Sequence, residues 1–134
     1  MSETTLILAR ILGAFILITG AGLLIHRRTV GEILDRFRDD TVLGWIVAVF
    51  ELVAALILVA IHNDWSNPLA IVVTLIGWAA VLEAALIMLL QRRYFSLIMP
   101  VAHGPMIPVW GAIAVVGGLA LLYFGFTAAP GPLA

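Results

Sequence analysis

Residues 69–90 read LAIVVTLIGWAAVLEAALIMLL, and Glu83 is the one charged side chain among these positions. A helix of this length rises about 33 Å at ~1.5 Å per residue, enough to cross the ~30 Å hydrocarbon core of a bilayer. Because lipid offers no hydrogen-bond partner to the backbone, an apolar run of this kind must be helical. The stretch therefore predicts a transmembrane helix.

Three further apolar runs of similar length occupy residues 5–25, 42–61 and 107–126. Hydrophobic residues make up 63% of the 134 residues and charged residues 11%, whereas soluble proteins average about 45–50% and 25%. A chain this short cannot hide so much apolar surface from water by folding alone. We therefore expect one transmembrane domain over residues 1–134, an all-α bundle of four membrane-spanning helices whose main partner is the lipid bilayer.

The segment between the first two runs predicts a short amphipathic helix over residues 30–39. Val30, Ile33, Leu34 and Phe37 recur at the spacing of one helix face, and charged residues fill the other face. Thr29 and Glu32 have the spacing of a capping box. A solvated connector is the alternative. Residues 91–106 are read instead as an apolar loop that lies in the interface or covers the helix ends.

The arginines indicate how the chain is oriented. Six of the seven lie in the connections 26–41 and 91–106, and the connection 62–68 has none. By the positive-inside rule the two arginine-bearing connections are cytoplasmic. We therefore expect a bacterial inner-membrane protein with both termini outside. No basic region precedes the first apolar run, so we expect this run to remain in the mature protein.

Three ionisable residues fall inside the predicted helices: Arg10, Glu51 and Glu83. Each costs on the order of 2.5–3.5 kcal/mol at mid-bilayer on insertion scales, so each needs a partner, a proton or water. In one interpretation, Glu51 and Glu83 carry protons or cations. In the other, Arg10 pairs with Glu51 and Glu83 stays a neutral, hydrogen-bonded acid, with arginines of the connection 91–106 as its nearest basic groups.

Several classes of function lack the residues they need. There is no cysteine, and no nucleophile–base arrangement, phosphate-binding loop or metal-ligand spacing is found. We therefore predict no catalytic residue, no metal and no cofactor, and the placement of the three histidines disfavours haem ligation. The net charge of −1 without a clustered basic face predicts no nucleic-acid partner.

The connection between the second and third runs carries a motif that predicts a rigid hairpin. His62, Asn63 and Trp65 precede Pro68, and Thr74 and Trp78 follow in the next helix. In this interpretation Asn63 and Asp64 cap the preceding helix, Thr74 bonds within its own helix, and Ser66 or Asn67 caps the third helix. A site for a lipid head group, a quinone or a protein partner near His62 and Trp65 is the alternative.

The pattern H-N-x-W at 62–65 followed by T-x-x-G-W at 74–78 resembles a group of small four-helix bacterial inner-membrane proteins to which no activity is assigned. The resemblance extends to Arg10-Ile11-Leu12-Gly13, Pro100 and the glycine-rich fourth run. Those proteins often have lysine where this chain has Glu83, so a charge-based mechanism does not transfer. A weaker similarity links the chain to DoxX-like four-helix proteins. Both resemblances imply the fold and supply no function.

The leading expectation is a non-catalytic accessory or interaction protein that self-associates or packs on a larger membrane complex. It rests on small-residue faces such as that of Ala114 and Gly118, which suit close helix packing. The alternative is a homo-oligomeric transporter or channel coupled to protons or cations through Glu83 and Glu51. A redox anchor or enzyme is a third, less supported interpretation.

Overall fold

The computed structural model describes residues 2–129, and in this range the chain is all-helical, with six helices and no strand. They are α1 (Glu3–Ile25), α2 (Arg27–Asp39), α3 (Thr41–Ile61), α4 (Pro68–Leu90), α5 (Arg92–Ala102) and α6 (Met106–Thr127). Four of them, α1, α3, α4 and α6, are long and apolar enough to span a membrane. Their bounds lie within two residues of those predicted from hydropathy, so the helical class and the four long apolar helices are confirmed.

The long helices are antiparallel neighbours along the chain, which gives the molecule two ends of different chemistry. The hairpin end holds the start of α1, the end of α6 and the α3–α4 connection, which the Thr5–His62 hydrogen bond joins to α1. The arginine end holds α2 and α5 with six of the seven arginines. All but one of the cationic side chains are therefore gathered at one end.

The four long helices form two tight pairs, α1 with α6 and α3 with α4. Glycine permits the first pair, since a Cβ atom added at Gly118 would lie 2.6 Å from the backbone nitrogen of Leu17, and one at Gly13 2.9 Å from that of Leu122. The small-residue step at Ala114 and Gly118, expected as a face for another subunit, therefore packs against α1 of the same chain.

The two pairs meet mainly through α1 and α4 near the hairpin end. There a small apolar core forms from Leu6, Leu8, Ala9, Leu69, Val73 and Leu121. Toward the arginine end the pairs are bridged by α2 and α5, and not by direct packing of α4 on α6. The result is an open arrangement with a lateral gap between α4 and α6.

Helix α2 is present as predicted but begins earlier, at Arg27. Its N-cap is His26, without a side-chain cap bond, so Thr29 and Glu32 lie inside the helix and the expected capping box is wrong. Glu32 instead contacts Arg28, one turn earlier, at 3.7 Å. The next helix does begin with a cap, because Asp40 accepts from the backbone N–H groups of Val42 and Leu43.

Helix α5 corrects the expectation of a loop over 91–106. The chain turns sharply at Gln91, whose φ of 53° is unusual for a residue with a side chain, and Arg92–Ala102 then form a helix. Its apolar face is led by Phe95, which is buried against α2, with the ring of Phe37 6.0 Å away. Arg92 donates to the backbone oxygen of Asp39 at the end of α2, so α2 and α5 support each other.

Candidate functional site

Two groups of polar side chains sit within the four long helices, and the first is a closed hydrogen-bond chain at the hairpin end. His62, only 4% exposed, bonds through Nε2 to the Thr5 hydroxyl at 2.9 Å and through Nδ1 to the Thr74 hydroxyl at 3.1 Å. Both threonines are fully buried. This series of hydrogen bonds ends on one side at Ser2, whose hydroxyl lies 2.7 Å from that of Thr5, and on the other side at the backbone of Asp64. It therefore ties α1, α3 and α4 together.

The direction of each hydrogen bond in this chain follows from its end at Asp64. A backbone carbonyl only accepts, so the Thr74 hydroxyl donates to the oxygen of Asp64 at 2.9 Å. The Thr74 oxygen must then accept from Nδ1 of His62, which carries the proton. In the neutral ring Nε2 accepts from Thr5, and Thr5 accepts from Ser2. Every polar atom of the ring therefore has a partner.

The rest of the motif builds the hairpin, but not as expected. The side-chain oxygen of Asn63 accepts from the indole N–H groups of Trp65 and Trp78. The Asp64 carboxylate accepts from the backbone N–H of Ser66. Neither side chain caps the end of α3, and Thr74 bonds across to the connection and not within α4, so those expectations are wrong.

The predicted cap of α4 is formed. Asn67 accepts from the backbone N–H of Ala70 at 2.9 Å, and Pro68 occupies the first turn of the helix. Pro68 suits that position because its missing N–H would have no partner inside the helix. The short connection between α3 and α4 is therefore fixed at both of its ends.

Arg10 does not pair with Glu51, and that prediction is wrong. Its Nε donates to the backbone oxygen of Gly125 at 2.7 Å, and its guanidinium lies 4.7 Å from the ring centre of Phe126. The carbonyls of the last turn of a helix lack partners within the helix, and the negative end of the helix dipole attracts a cation. Arg10 therefore caps the end of α6.

The second polar group is the carboxyl pair, defined as Glu51 of α3 and Glu83 of α4. Packing of Gly77 against Leu58 sets a register of α4 on α3 that brings the two carboxyl groups close enough to repel each other when both are charged. Glu51 lies about 15 Å from the start of α3 and Glu83 about 10 Å from the end of α4, at ~1.5 Å per residue. Side chains lean toward the start of their own helix, so in antiparallel helices these two lean toward each other.

Tyr94, at the start of α5, supplies the hydrogen-bond donor of this site. Its hydroxyl donates to Oε1 of Glu83 at 3.3 Å. Burial, and then the neighbouring carboxyl groups, raise the pKa of the Tyr94 phenol well above its usual value. The phenol therefore stays protonated and remains a donor.

No cation balances the carboxyl pair within the part of the chain that the structure describes. Ion pairs there involve other acids, and Arg92, a predicted basic neighbour of Glu83, turns to Asp39 instead. Residues 2–129 also contain no group of three side chains suited to hold a metal ion. The pair is thus held by one phenol and is open on its other side.

A lateral cleft opens between α4 and α6 and reaches this pair. Near the hairpin end it is a cavity of about 620 Å³ lined by apolar side chains that include Val72, Ile76 and Ile113. Near the arginine end it is a cavity of about 520 Å³ lined by Glu83, Tyr94 and Trp110, among others. Glu83 is exposed there, and Glu51 is half-buried, so the carboxyl pair meets the cleft through Glu83.

The sequence interpretation missed the proximity of Glu51 and Glu83, which follows from the register of the α3–α4 hairpin. Gly77 packs against Leu58, and this fixes the register of the α3–α4 hairpin. Glu83 lies six residues after Gly77, and Glu51 lies seven residues before Leu58. Because α3 and α4 are antiparallel, this register brings the two glutamates opposite each other. Depth alone, measured separately along each helix, did not reveal this.

The geometry gives the chain one closed polar network and one open carboxyl pair. No protein-family model matches the chain, and no curated protein or solved structure is similar to it. The resemblance based on the H-N-x-W and T-x-x-G-W motifs therefore stays a prediction.

Proposed function

We propose that this chain is a multi-pass protein of the bacterial inner membrane, with the arginine end in the cytoplasm and both termini outside. Four helices long and apolar enough to span a membrane support the first part. The gathering of six arginines at one end supports the second, because arginine-rich connections remain on the cytoplasmic side.

Within that membrane we propose a homo-oligomeric transporter or channel that moves protons or cations through Glu51 and Glu83. The observation that carries this proposal is the carboxyl pair itself, placed between two antiparallel helices, with Glu83 lining the cleft. Ionisable groups inside a membrane are expensive, and they mark proton and ion pathways when they lack a structural partner. Arg10 has such a partner, whereas the carboxyl pair has only the Tyr94 hydroxyl.

The chemistry of the pair suits loading and release. Two adjacent carboxylates in a medium of low dielectric repel each other, so a proton or a cation between them removes the repulsion. The Tyr94 hydroxyl stabilises the remaining charge on Glu83 without neutralising it. A pair held this way binds a positive charge and also gives it up.

Proton and cation flux into proteoliposomes tests the proposal. We expect the purified protein to move protons or a cation down a gradient, and Glu83→Gln to abolish this flux with assembly unchanged. Gln keeps the shape and the acceptor for Tyr94 but cannot carry the charge. Glu3→Gln, an exposed glutamate at the hairpin end, is the matched control and should transport like the wild type.

Equal flux in the wild type and Glu83→Gln, or no flux in either, overturns the transport proposal. The second candidate is then an accessory subunit that packs on a larger complex. The apolar half of the cleft favours it, because about 620 Å³ of apolar groove between α4 and α6 is open to a neighbouring helix. Purified protein that moves solute on its own contradicts this second candidate.

A further inference from the structure

The two cavities of the cleft follow one face of a single helix. Along α4 the residues that line them recur every three or four positions, from Leu69 through Val72, Ile76 and Ala79 to Glu83 and Leu86. That spacing is one stripe of a helix. The two cavities therefore follow one another along the same face of α4, one apolar and one lined by Glu83.

The half near the arginine end combines three kinds of side chain around one space. Glu83 contributes a carboxyl group with Glu51 beside it, Tyr94 contributes a phenol ring, and Trp110 contributes an indole. The indole N–H of Trp110 is already bonded to the Val101 carbonyl oxygen at 2.7 Å. What Trp110 offers to the cleft is therefore its ring and not a hydrogen-bond donor.

We propose that the cleft binds an amphiphilic organic cation, with its positive head at the carboxyl pair and its apolar body along the other half. This inference rests on the function proposed above and names the class of substrate. Carboxylates attract the charge, and the aromatic rings of Tyr94 and Trp110, which also line this cavity, stabilise it further. The apolar body replaces lipid along Val72 and Ile76.

The composition of the cleft disfavours other occupants. A calcium-like ion takes about 6–8 oxygen ligands, whereas the side chains here provide only the two carboxyl groups and the Tyr94 hydroxyl. An anionic lipid is disfavoured because it would be repelled by the carboxyl groups, and no basic side chain is among the described residues that line the two cavities. A neutral acyl chain or a partner helix fits the apolar half but leaves the carboxyl groups without a counter-charge.

The opening of the cleft indicates the route of entry. It lies on the flank of the bundle between α4 and α6, within the length of the spanning helices. A cation that is itself apolar enough to dissolve in the bilayer therefore reaches the carboxyl pair sideways, without passing through a water-filled pore. Its concentration in the membrane, and not in water, sets the occupancy.

Equilibrium binding of dodecyltriphenylphosphonium, a cation with an apolar tail long enough to reach from Glu83 toward Val72, to the protein in nanodiscs tests the inference, with empty nanodiscs as the background. We expect saturable binding to the wild type and an increase in Kd of about tenfold or more in Glu83→Gln, which is ~1.4 kcal/mol of binding free energy. Val72→Trp fills the apolar half and should also weaken binding. Glu3→Gln should bind like the wild type.

The outcomes separate this inference from the proposed function. Saturable binding that Glu83→Gln and Val72→Trp both weaken supports it. The inference is overturned if no saturable binding is found, or if the wild type and Glu83→Gln bind equally well. Proton flux that still depends on Glu83 would then leave the proposed function standing. Displacement of the probe by an uncharged lipid as readily as by a second organic cation also overturns it.

Discussion

The hairpin end and the cleft show two ways in which a chain rich in apolar residues accommodates polar groups. At the hairpin end, the buried His62 has a partner at each ring nitrogen, and Thr5 and Thr74 pass the hydrogen bonds on to the backbone and to Ser2. In the cleft, Glu51 and Glu83 face each other with the Tyr94 hydroxyl as the donor. The first network is closed, whereas the second is open.

The contrast separates the polar residues that hold the fold from those that are free to act. A buried polar group with all its hydrogen bonds satisfied stabilises the packing and has little left to offer a ligand. Two neighbouring carboxyl groups repel each other when both are ionised, so they do not stabilise the packing as the closed network does. The three predictions below separate the two regions, beginning with the largest expected effect.

His62→Ala should destabilise the protein more than any other single change in the two regions, by about 2–4 kcal/mol of unfolding free energy. It removes two hydrogen bonds and a buried ring, and it leaves the fully buried hydroxyls of Thr5 and Thr74 short of partners. Unfolding in mixed detergent measures the change. His26→Ala is the control, because His26 is exposed and makes no side-chain cap bond.

The control should differ from the wild type by no more than ~0.5 kcal/mol. If His62→Ala is equally mild, the closed network does not hold the hairpin end together. The distinction between the two regions then fails at its first step.

Glu51→Gln should leave the unfolding free energy within about 0.5 kcal/mol of the wild type or raise it. The amide fills the same space and removes the repulsion from Glu83. The same unfolding assay gives the value. A loss as large as that of His62→Ala would show that the carboxyl pair holds the helices together, and the functional interpretation of the pair would have to be withdrawn.

Asp64→Asn should give the smallest effect, one that depends on pH. Hydrogen bonds from Ser66 hold the pKa of the Asp64 carboxyl below its usual value of 3.8. A lowered pKa in the folded state means that the carboxylate adds stability above about pH 4, and that this gain is lost as the pH falls through the folded pKa. The wild type should therefore melt slightly above Asp64→Asn at pH 6, and the gap should narrow by pH 3.

Most of the fold was readable from the sequence because lipid imposes strong constraints. A span needs about 20 apolar residues and must be helical, so the hydropathy pattern alone placed α1, α3, α4 and α6. The stripe of Val30, Ile33 and Phe37 also indicated α2. Helix α5 was missed because residues 91–106 were read as an apolar loop, and Arg92–Ala102 form a helix there although Pro100 removes one of its backbone hydrogen bonds.

The contacts between distant helices were much harder to predict. Nothing in a single sequence says that α1 lies against α6, so the partner of Arg10 was sought on the wrong helix and found at Gly125. The α3–α4 hairpin is different, because its short connection limits the register. There the contact of Gly77 with Leu58, seen only in the structure, sets the register that brings Glu51 toward Glu83, and the Thr74–His62 bond belongs to the same register.

The pairing of α1 with α6 has a consequence for biogenesis. Arg10 and its acceptor Gly125 are 115 residues apart, so at a synthesis rate of about 5–20 residues per second the helix waits roughly 6–23 s for its partner. During that interval the glycine face of α1 is uncovered and its arginine has no helix end to cap. A ribosome that stalls before α6 therefore leaves an incomplete chain whose Arg10 lacks its acceptor at Gly125.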